Sequence, residues 1–321
     1  MMSNTLLNLL ADGKLHSGEA LAERLGISRT AVWKQVGRAL ESGYPIETVR
    51  GKGYRLKGGL DLLSETRIRD ALPTGLERRM QLLVLDETDS TNAEVSRSVH
   101  RWSADRIPVC VADMQKAGRG RRGRRWHSPR GENLYLSLGL SFEGGFAILD
   151  GLSLVFGVAV ADALEELGVQ NVGLKWPNDI FIDDAKLGGI LIELRGELEE
   201  GSVQVIAGIG MNVHMTEAED VDQRWTSLAR LGGRWERNLL VAAILRRVLA
   251  SVEKFQAVGF SVFRAAWQER DIFSGRPLLA NHGEVYGIGR GIDASGHYLL
   301  ERPDGTLYPV RAGEVSLRVA E

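Results

Sequence analysis

Gly118-Arg119-Gly120-Arg121-Arg122-Gly123-Arg124-Arg125-Trp126 lies between a strand-like run ending near Ala112 and another starting near Asn133. From Lys116 to Arg130 there are seven cationic residues (116, 119, 121, 122, 124, 125, 130) and no acidic one. A cluster so dense repels itself until something anionic is bound. Its three glycines disfavour helix and strand and let the backbone approach a ligand closely. The stretch therefore reads as a loop that is mobile when empty and ordered by a phosphate-bearing ligand, through arginine forks and backbone amides. On composition alone, an Arg-Gly grip on RNA is an equal reading, and a solvated charged loop is a third.

The surroundings decide between them. Upstream stands Asp89-Ser90-Thr91-Asn92, where Thr91 and Glu94 also make a capping box, so that taken singly the stretch is a helix start. Downstream come Lys175-Trp176-Pro177-Asn178-Asp179, a strand end and turn, then Lys186-Leu187-Gly188-Gly189-Ile190, and an apolar strand ending in Gly208-Ile209-Gly210-Met211-Asn212-Val213. Strands are expected at Leu82 to Leu85, Pro108 to Ala112, Leu134 to Leu140, Val172 to Lys175, Ile180 to Ile182, Leu187 to Leu194 and Val203 to Ile209. Helices are expected at Asn92 to Val99, Gly151 to Leu167 and Asn238 to Val258. Trp176 to Asp179 and Asp183 to Lys186 are too short for crossover helices, so the sheet is mixed, with antiparallel hairpins.

Before this region, a first helix carries Leu6, Leu7, Leu9 and Leu10 ahead of Asp12-Gly13. Ser17 opens a second helix that stops at Gly26. Ser28 caps a third, with Val32, Val36, Ala39 and Leu40 on its apolar face and Thr30, Trp33, Lys34 and Gly37 opposite. Runs Ile46 to Arg50 and Tyr54 to Leu56 flank Gly51-Lys52-Gly53 as a wing. Residues 1–60 hold nine Lys/Arg against five Asp/Glu, concentrated where phosphates would lie. The pattern is a winged helix-turn-helix, with base contacts expected from Arg29, Thr30, Trp33 and Lys34. A regulatory or structural domain without operator binding is the alternative. Beyond Asp271, short β-like runs punctuated by glycines suggest a small SH3-like barrel.

A formal net charge of -2 excludes a chain that is basic throughout, so nucleic-acid contacts must be local. The single cysteine, Cys110, sits in an apolar run and reads as a core thiol of a reducing compartment. The first residues show no secretory pattern, and the longest apolar stretch, Gly151 to Leu164, is too short for a membrane span and contains Asp162. A cytoplasmic protein without membrane contact is expected.

In this order and spacing, the pieces resemble the bifunctional biotin protein ligase and biotin operon repressor family. The matching stretches are Asp89 to Asn92, Gly118 to Arg124 with Trp126, Lys175 to Asp179, Lys186 to Ile190 and Gly208 to Asn212. They extend to His16-Ser17-Gly18-Glu19, Gly51-Lys52-Gly53-Tyr54 and Glu314-Val315-Ser316-Leu317-Arg318. The resemblance implies an α+β fold of three parts: a winged helix-turn-helix (1–62), a central mixed sheet with helices of the class II synthetase-like biotin/lipoate ligase kind (63–270), and an SH3-like barrel (271–321). It implies two half-reactions, formation of biotinyl-5′-AMP from biotin and ATP with Mg²⁺, then transfer to a lysine of the biotin carboxyl carrier protein of acetyl-CoA carboxylase. The adenylate would also be corepressor, pairing two chains as a homodimer on double-stranded operator DNA.

By the same resemblance, Ser90, Thr91, Asn92 and Gln115 would bind biotin, with backbone around Arg119 and Gly120 closing over it. Arg119, Arg121 and Lys186 would neutralise carboxylate and phosphate. Arg122, Trp126, Asn178, Asn212 and Arg318 would lie by the nucleotide, with a surface ion pair the alternative for Arg318. Asp179 would help hold the metal, and Trp225 would stack on adenine or stand as an ordinary exposed loop tryptophan. Ser28 and Lys52 join the four recognition-helix residues on DNA. A lipoate or octanoate transferase, a biotin sensor without ligase activity, and a nucleic-acid grip are the competing readings.

Overall fold

The computed structural model describes residues 4–56, 59–98, 106–144, 149–195, 202–218, 221, 223–280, 283–311 and 318–319, with 4, 5 and 318 described by backbone alone. Helices α1 (Asn4–Leu10), α2 (Gly18–Leu25) and α3 (Arg29–Glu41) form as their caps dictate. Ser17 Oγ accepts from Ala20 N and Ser28 Oγ from Ala31 N, satisfying amides that a helix start leaves unpaired. Gly26 closes α2 at φ 63°, the left-handed conformation glycine adopts without steric cost. Leu40, expected on the buried face of α3, is 44% exposed, because the helix is ending there and its last turn overhangs the small core. The wing is the hairpin β1 (Ile46–Val49) and β2 (Gly53–Leu56).

After α4 (Glu65–Asp70) comes a seven-stranded mixed sheet. Its strands are β3 (Met80–Leu85), β4 (Ile107–Ala112), β5 (Asn133–Glu143), β6 (Val172–Lys175), β7 (Asp179–Ile182), β8 (Ala185–Arg195) and β9 (Ser202–Asn212), in the order β3-β4-β5-β9-β8-β7-β6. Only β3 and β4 pair in parallel; the others are antiparallel. The expected strands all form, and β5 and β9 run past their apolar cores because they pair with each other over their full length.

Strand alternation gives the sheet two unlike faces. One carries Leu134, Leu136, Leu138, Val205, Ala207 and Ile209 into the main core with α6 (Leu152–Glu166) and α7 (Arg237–Val258). The other presents Cys110, Ser137 and Gly208 in adjoining register toward α5 (Thr91–Arg97). Cys110 is buried with Val95 and Ile206, and desolvation pushes its thiol up to about 12, as a core role requires. Among the described residues no helix is long and apolar enough to cross a membrane.

The short α8 (Arg264–Gln268) leads to a five-stranded antiparallel sheet of β10 (Pro277–Ala280), β11 (Val285–Ile292), β12 (Tyr298–Glu301), β13 (Leu307–Val310) and β14 (Arg318–Val319). Tyr298 packs against Trp176, Trp267 and Phe273 and donates its hydroxyl to Asp271 Oδ2 at 2.7 Å. Trp176 Nε1 donates to Gly296 O at 2.9 Å. The C-terminal sheet thus grips the Lys175-to-Asp179 turn from behind.

Two expectations test this frame. Arg237 is fully buried, donates to Asp113 Oδ1 at 2.8 Å and to the carbonyls of Asn133 and Asp61. Arg237→Ala leaves the buried Asp113 carboxyl and two backbone carbonyls without their donor, so the urea midpoint should fall by the equivalent of about 3–5 kcal/mol, with Arg237→Lys intermediate. Burial pushes the Asp271 carboxyl up to about 6, so the folded state binds its proton more tightly than the unfolded one. Its contribution to stability is complete below the ordinary carboxylate range and is lost as pH rises through 6. Asp271→Asn should therefore gain stability relative to the parent between pH 4.5 and 7, by up to roughly 3 kcal/mol; a pH-independent difference would contradict this.

Candidate functional site

Four segments converge on one cavity of about 780 Å³, a size suited to a small molecule and larger than a grip on a single phosphate needs. They are the start of α5, the arginine loop between β4 and β5, the β6–β7 turn with the start of β8, and the end of β9 with the segment after it that carries Trp225. Ser90, Thr91, Asn92, Gln115, Arg119, Gly120, Arg121, Arg122, Trp126, Asn178, Asp179, Lys186, Asn212 and Trp225 all line it. Of the residues expected there, only Arg318 has its side chain outside the described residues; Glu314 to Leu317, the rest of that matching stretch, lie outside them too. Val99, the expected end of α5, also lies outside them.

The start of α5 corrects one sequence expectation. Ser90 holds the N-cap position without a side-chain cap, and Thr91 is the first helical residue. Glu94 pairs with Arg97 instead of closing a capping box. The orphan amide of Thr91 is satisfied by Gln115 Oε1 at 2.9 Å, freeing three buried polar side chains, Ser90, Thr91 and Asn92, to face the sheet and cavity. A helix start that forgoes its own cap gives up about 1 kcal/mol, so these side chains are engaged elsewhere.

The glycines ending β9 provide the space. A Cβ on Gly208 would lie 2.3 Å from Asn92 Oδ1, and one on Gly210 would lie 2.7 Å from the Trp126 ring. The small residues there are seats for an amide and an indole.

The arginine loop is a folded turn. Gly120 N donates to Arg124 O at 2.7 Å and Trp126 N to Gly118 O at 2.9 Å, while Arg122 takes φ 57°. Arg122, Arg124 and Arg125 are exposed. Arg121 is half-buried, its Nη1 donating to Asn178 Oδ1 at 3.1 Å, and burial with neighbouring Arg122 holds its pKa below the ordinary arginine range. Arg119 Nη2 donates to Glu193 at 3.1 Å. Across the cavity Lys186 Nζ sits 2.8 Å from Asp179 Oδ1 and 5.7 Å from the Trp126 centroid. Positive charge therefore exceeds negative around the cavity, a setting complementary to an anionic ligand.

Asn212 Nδ2 donates to Thr226 O at 2.9 Å, tying β9 to the segment that carries Trp225. Trp225 is half-buried with the Arg230 guanidinium 3.8 Å from its ring centroid, so it is a packed part of the wall and no ordinary exposed tryptophan. Among the described residues no three His, Cys, Asp or Glu side chains gather as a metal cage. A single carboxylate, Asp179, fits Mg²⁺ brought in on substrate phosphates, since that ion is commonly held by one or two carboxylates plus the phosphates themselves.

Sequence reasoning missed Ser137 and Glu193. Ser137 is fully buried on β5, 2.6 Å from Asn92 Oδ1, and Glu193 on β8 accepts from Asn92 Nδ2 at 2.7 Å. The available signal was a serine and a glutamate, each interrupting a run of apolar residues within its strand.

On the N-terminal unit Arg29, Thr30, Trp33, Lys34 and Lys52 are exposed together, while Ser28 is engaged as the α3 cap. Trp33 is 65% exposed, informative for so large an apolar side chain.

Residues 84–212 match the model of the biotin/lipoate A/B protein ligase family, and residues 3–55 match a helix-turn-helix domain. The chain is 42% identical to the bifunctional ligase/repressor BirA of Salmonella typhimurium, over 99% of this chain and 98% of that one. It is 34% identical to the protein of the same name from Bacillus subtilis, over 92% of each. The structure of a biotin protein ligase from Aquifex aeolicus in complex with biotin and ATP superposes with a TM-score of 0.64 at 32% identity, covering 74% of this chain and 99% of that one.

Proposed function

This chain belongs to the biotin/lipoate A/B protein ligase family, as a bifunctional ligase/repressor, and we propose that its cavity joins biotin to ATP and then delivers biotin to a lysine of a biotin carboxyl carrier protein. The observation that carries this is the meeting of an uncapped helix start, Gln115, Arg121 and Lys186 around one cavity. A polar floor suits a neutral ring with both donors and acceptors, and the cationic roof suits carboxylate and phosphate. A lipoyl ring offers nothing for such a floor to bond, which disfavours the lipoate reading.

In the first half-reaction a biotin carboxylate oxygen attacks the α-phosphorus of ATP and pyrophosphate leaves. In the second, the acceptor lysine's neutral ε-amine attacks the carbonyl carbon of biotinyl-5′-AMP, AMP leaves and the amine's proton is lost to solvent. No covalent enzyme intermediate is needed, so the chain contributes positioning and charge. Ser90, Thr91, Asn92 and Gln115 bind the ureido ring, with the backbone of Arg119 and Gly120 above it. Arg119, Arg121 and Lys186 offset the carboxylate and the pentavalent phosphorus, and Arg122, Trp126, Asn178 and Asn212 flank the nucleotide. Trp225, backed by Arg230, offers its ring to adenine. Asp179 would hold Mg²⁺, which supplies charge neutralisation on the phosphates.

The adenylate is also the corepressor in this reading. It favours a homodimer that sets two recognition helices on the half-sites of double-stranded operator DNA, in the cytoplasm, and it can do so only by binding the dimer-competent state more tightly. Exposed Arg29, Thr30, Trp33 and Lys34 on α3, with Lys52 on the wing, support the DNA half. The same reading divides the chain at 62/63 and 270/271.

The deciding assay is exchange of labelled pyrophosphate into ATP. Biotin should support it and lipoate should not; no exchange with biotin refutes the ligase. Arg121→Gln should speed adenylate release about 10- to 100-fold, the worth of one charged hydrogen bond, while changing biotin affinity far less. Equal effects on both would remove Arg121 from its role. Lys34→Ala should weaken operator binding at fixed salt and lower the salt slope by about 1, and unchanged binding would displace Lys34 from the interface.

A further inference from the structure

Glu193 is no part of the cation-rich cavity wall, yet it touches two pieces of the site at once. Its carboxylate accepts from Asn92 Nδ2 at 2.7 Å and from Arg119 Nη2 at 3.1 Å. Asn92 is 4% exposed and Glu193 is itself largely shielded, its side chain 28% exposed. The strand pair β8–β9 fixes the glutamate opposite Ile206, one alternation step from Gly208, where the missing side chain makes room for Asn92.

That contact has a directional consequence. A carboxylate only accepts, so Asn92 must turn its NH₂ toward Glu193 and its oxygen toward Ser137. Ser137 Oγ lies 2.6 Å from Asn92 Oδ1 and 2.7 Å from Thr91 Oγ1. It has one proton and the amide oxygen can only accept, so Ser137 donates to Asn92, while the single proton of the Thr91 hydroxyl is shared between Ser137 Oγ and Gln115 Oε1, 3.1 Å away. One charge on β8 thereby sets the hydrogen-bond polarity of the floor through Asn92 to Ser137, which touches Thr91. The same charge tethers the arginine loop at Arg119 through one of that guanidinium's two terminal nitrogens.

We propose that Glu193 is a positioning residue of the ligase, orienting the polar floor through Asn92 and holding the arginine loop over the cavity through Arg119. This rests on the function proposed above. The two arms are separable. Glutamine keeps an oxygen for Asn92 and presents no charge to Arg119; alanine removes both.

The test measures biotin affinity, the rate of biotinyl-5′-AMP release and thermal midpoint in the full-length chain. Glu193→Gln should leave biotin affinity within about threefold and raise adenylate release roughly tenfold, the effect of one charge-assisted hydrogen bond. Glu193→Ala should add a roughly tenfold loss of biotin affinity, and Ser137→Ala should reproduce that loss without faster release. In a double-mutant cycle, Glu193→Gln should add little to adenylate release in the Arg119→Ala background, because the partner is already gone. Glu193→Gln matching the parent, slower adenylate release, or full additivity with Arg119→Ala would overturn the proposal. So would losses in all variants that track the thermal midpoint alone. A parent chain without biotin-dependent pyrophosphate exchange would overturn the ligase reading, and this one with it, whereas an active parent with an unaffected Glu193→Gln overturns this one alone.

Discussion

The guanidinium of Arg237 at the start of α7 holds the two roots of the arginine loop together. Asp113, where the loop leaves β4, accepts at 2.8 Å, and the carbonyl of Asn133, where the loop enters β5, accepts at 3.1 Å. Burial pushes the Asp113 carboxyl up and Arg237 pulls it back. A buried ion pair contributes little net stability once desolvation is counted; its value here is geometric. Seven like charges in fifteen residues push a loop apart, and fixed roots keep that repulsion from reaching the sheet. Arg237 also takes the carbonyl of Asp61, so the segment entering from the helix-turn-helix is bound at the same point.

The second constraint comes from the sheet's two faces. The face under α6 and α7 is apolar throughout and makes the core. The face under α5 alternates buried apolar groups with Ser137, Gly208 and Gly210, so the helix settles close to the strands and its first turn becomes part of a wall. Because that turn is spent on the cavity, its amide needs an acceptor from elsewhere, and Gln115 reaches it from across the parallel β3–β4 pair. Behind the opposite wall, Trp176 is held by Gly296 and Tyr298. The turn bearing Asn178 and Asp179 therefore stands on a rigid aromatic support, as a site acting by positioning requires.

Much of this was legible in the sequence. Strand alternation, helix caps and the short β6–β7 and β7–β8 connections follow local rules, and the cationic loop declares itself by density of charge. The capping-box reading of Thr91 failed because a residue 24 positions away competes for the same amide, and local pattern cannot weigh such a rival. Glu193 and Asn92 are 101 positions apart, and Arg237 and Asp113 are 124 apart. Arg237 opens its helix as a solvated cation would, and Glu193 interrupts an apolar run without naming a partner; only strand register and helix packing bring them to their partners. Hence the charges that act at the cavity surface could be read in sequence, while the charges that orient them could not.

The arrangement also bears on how one chain can join ligation to repression. A ligand shifts a conformational equilibrium only through contacts that differ between its states. Arg130, the last cation of the arginine loop, donates to Glu87 and to the carbonyl of Asp86, and its guanidinium lies 5.0 Å from the ring centroid of Tyr44 beside the wing. His214, two residues beyond Asn212 at the end of β9, meets Asp61 in the connecting segment at 3.3 Å. Two walls of the cavity are thus rooted in the seam against the helix-turn-helix unit. Arg237 joins both roots of the arginine loop to the same seam through the carbonyl of Asp61. A ligand that binds differently to two positions of either wall therefore acts on contacts that the wall shares with the N-terminal unit, which is the physical requirement of the corepressor reading proposed above.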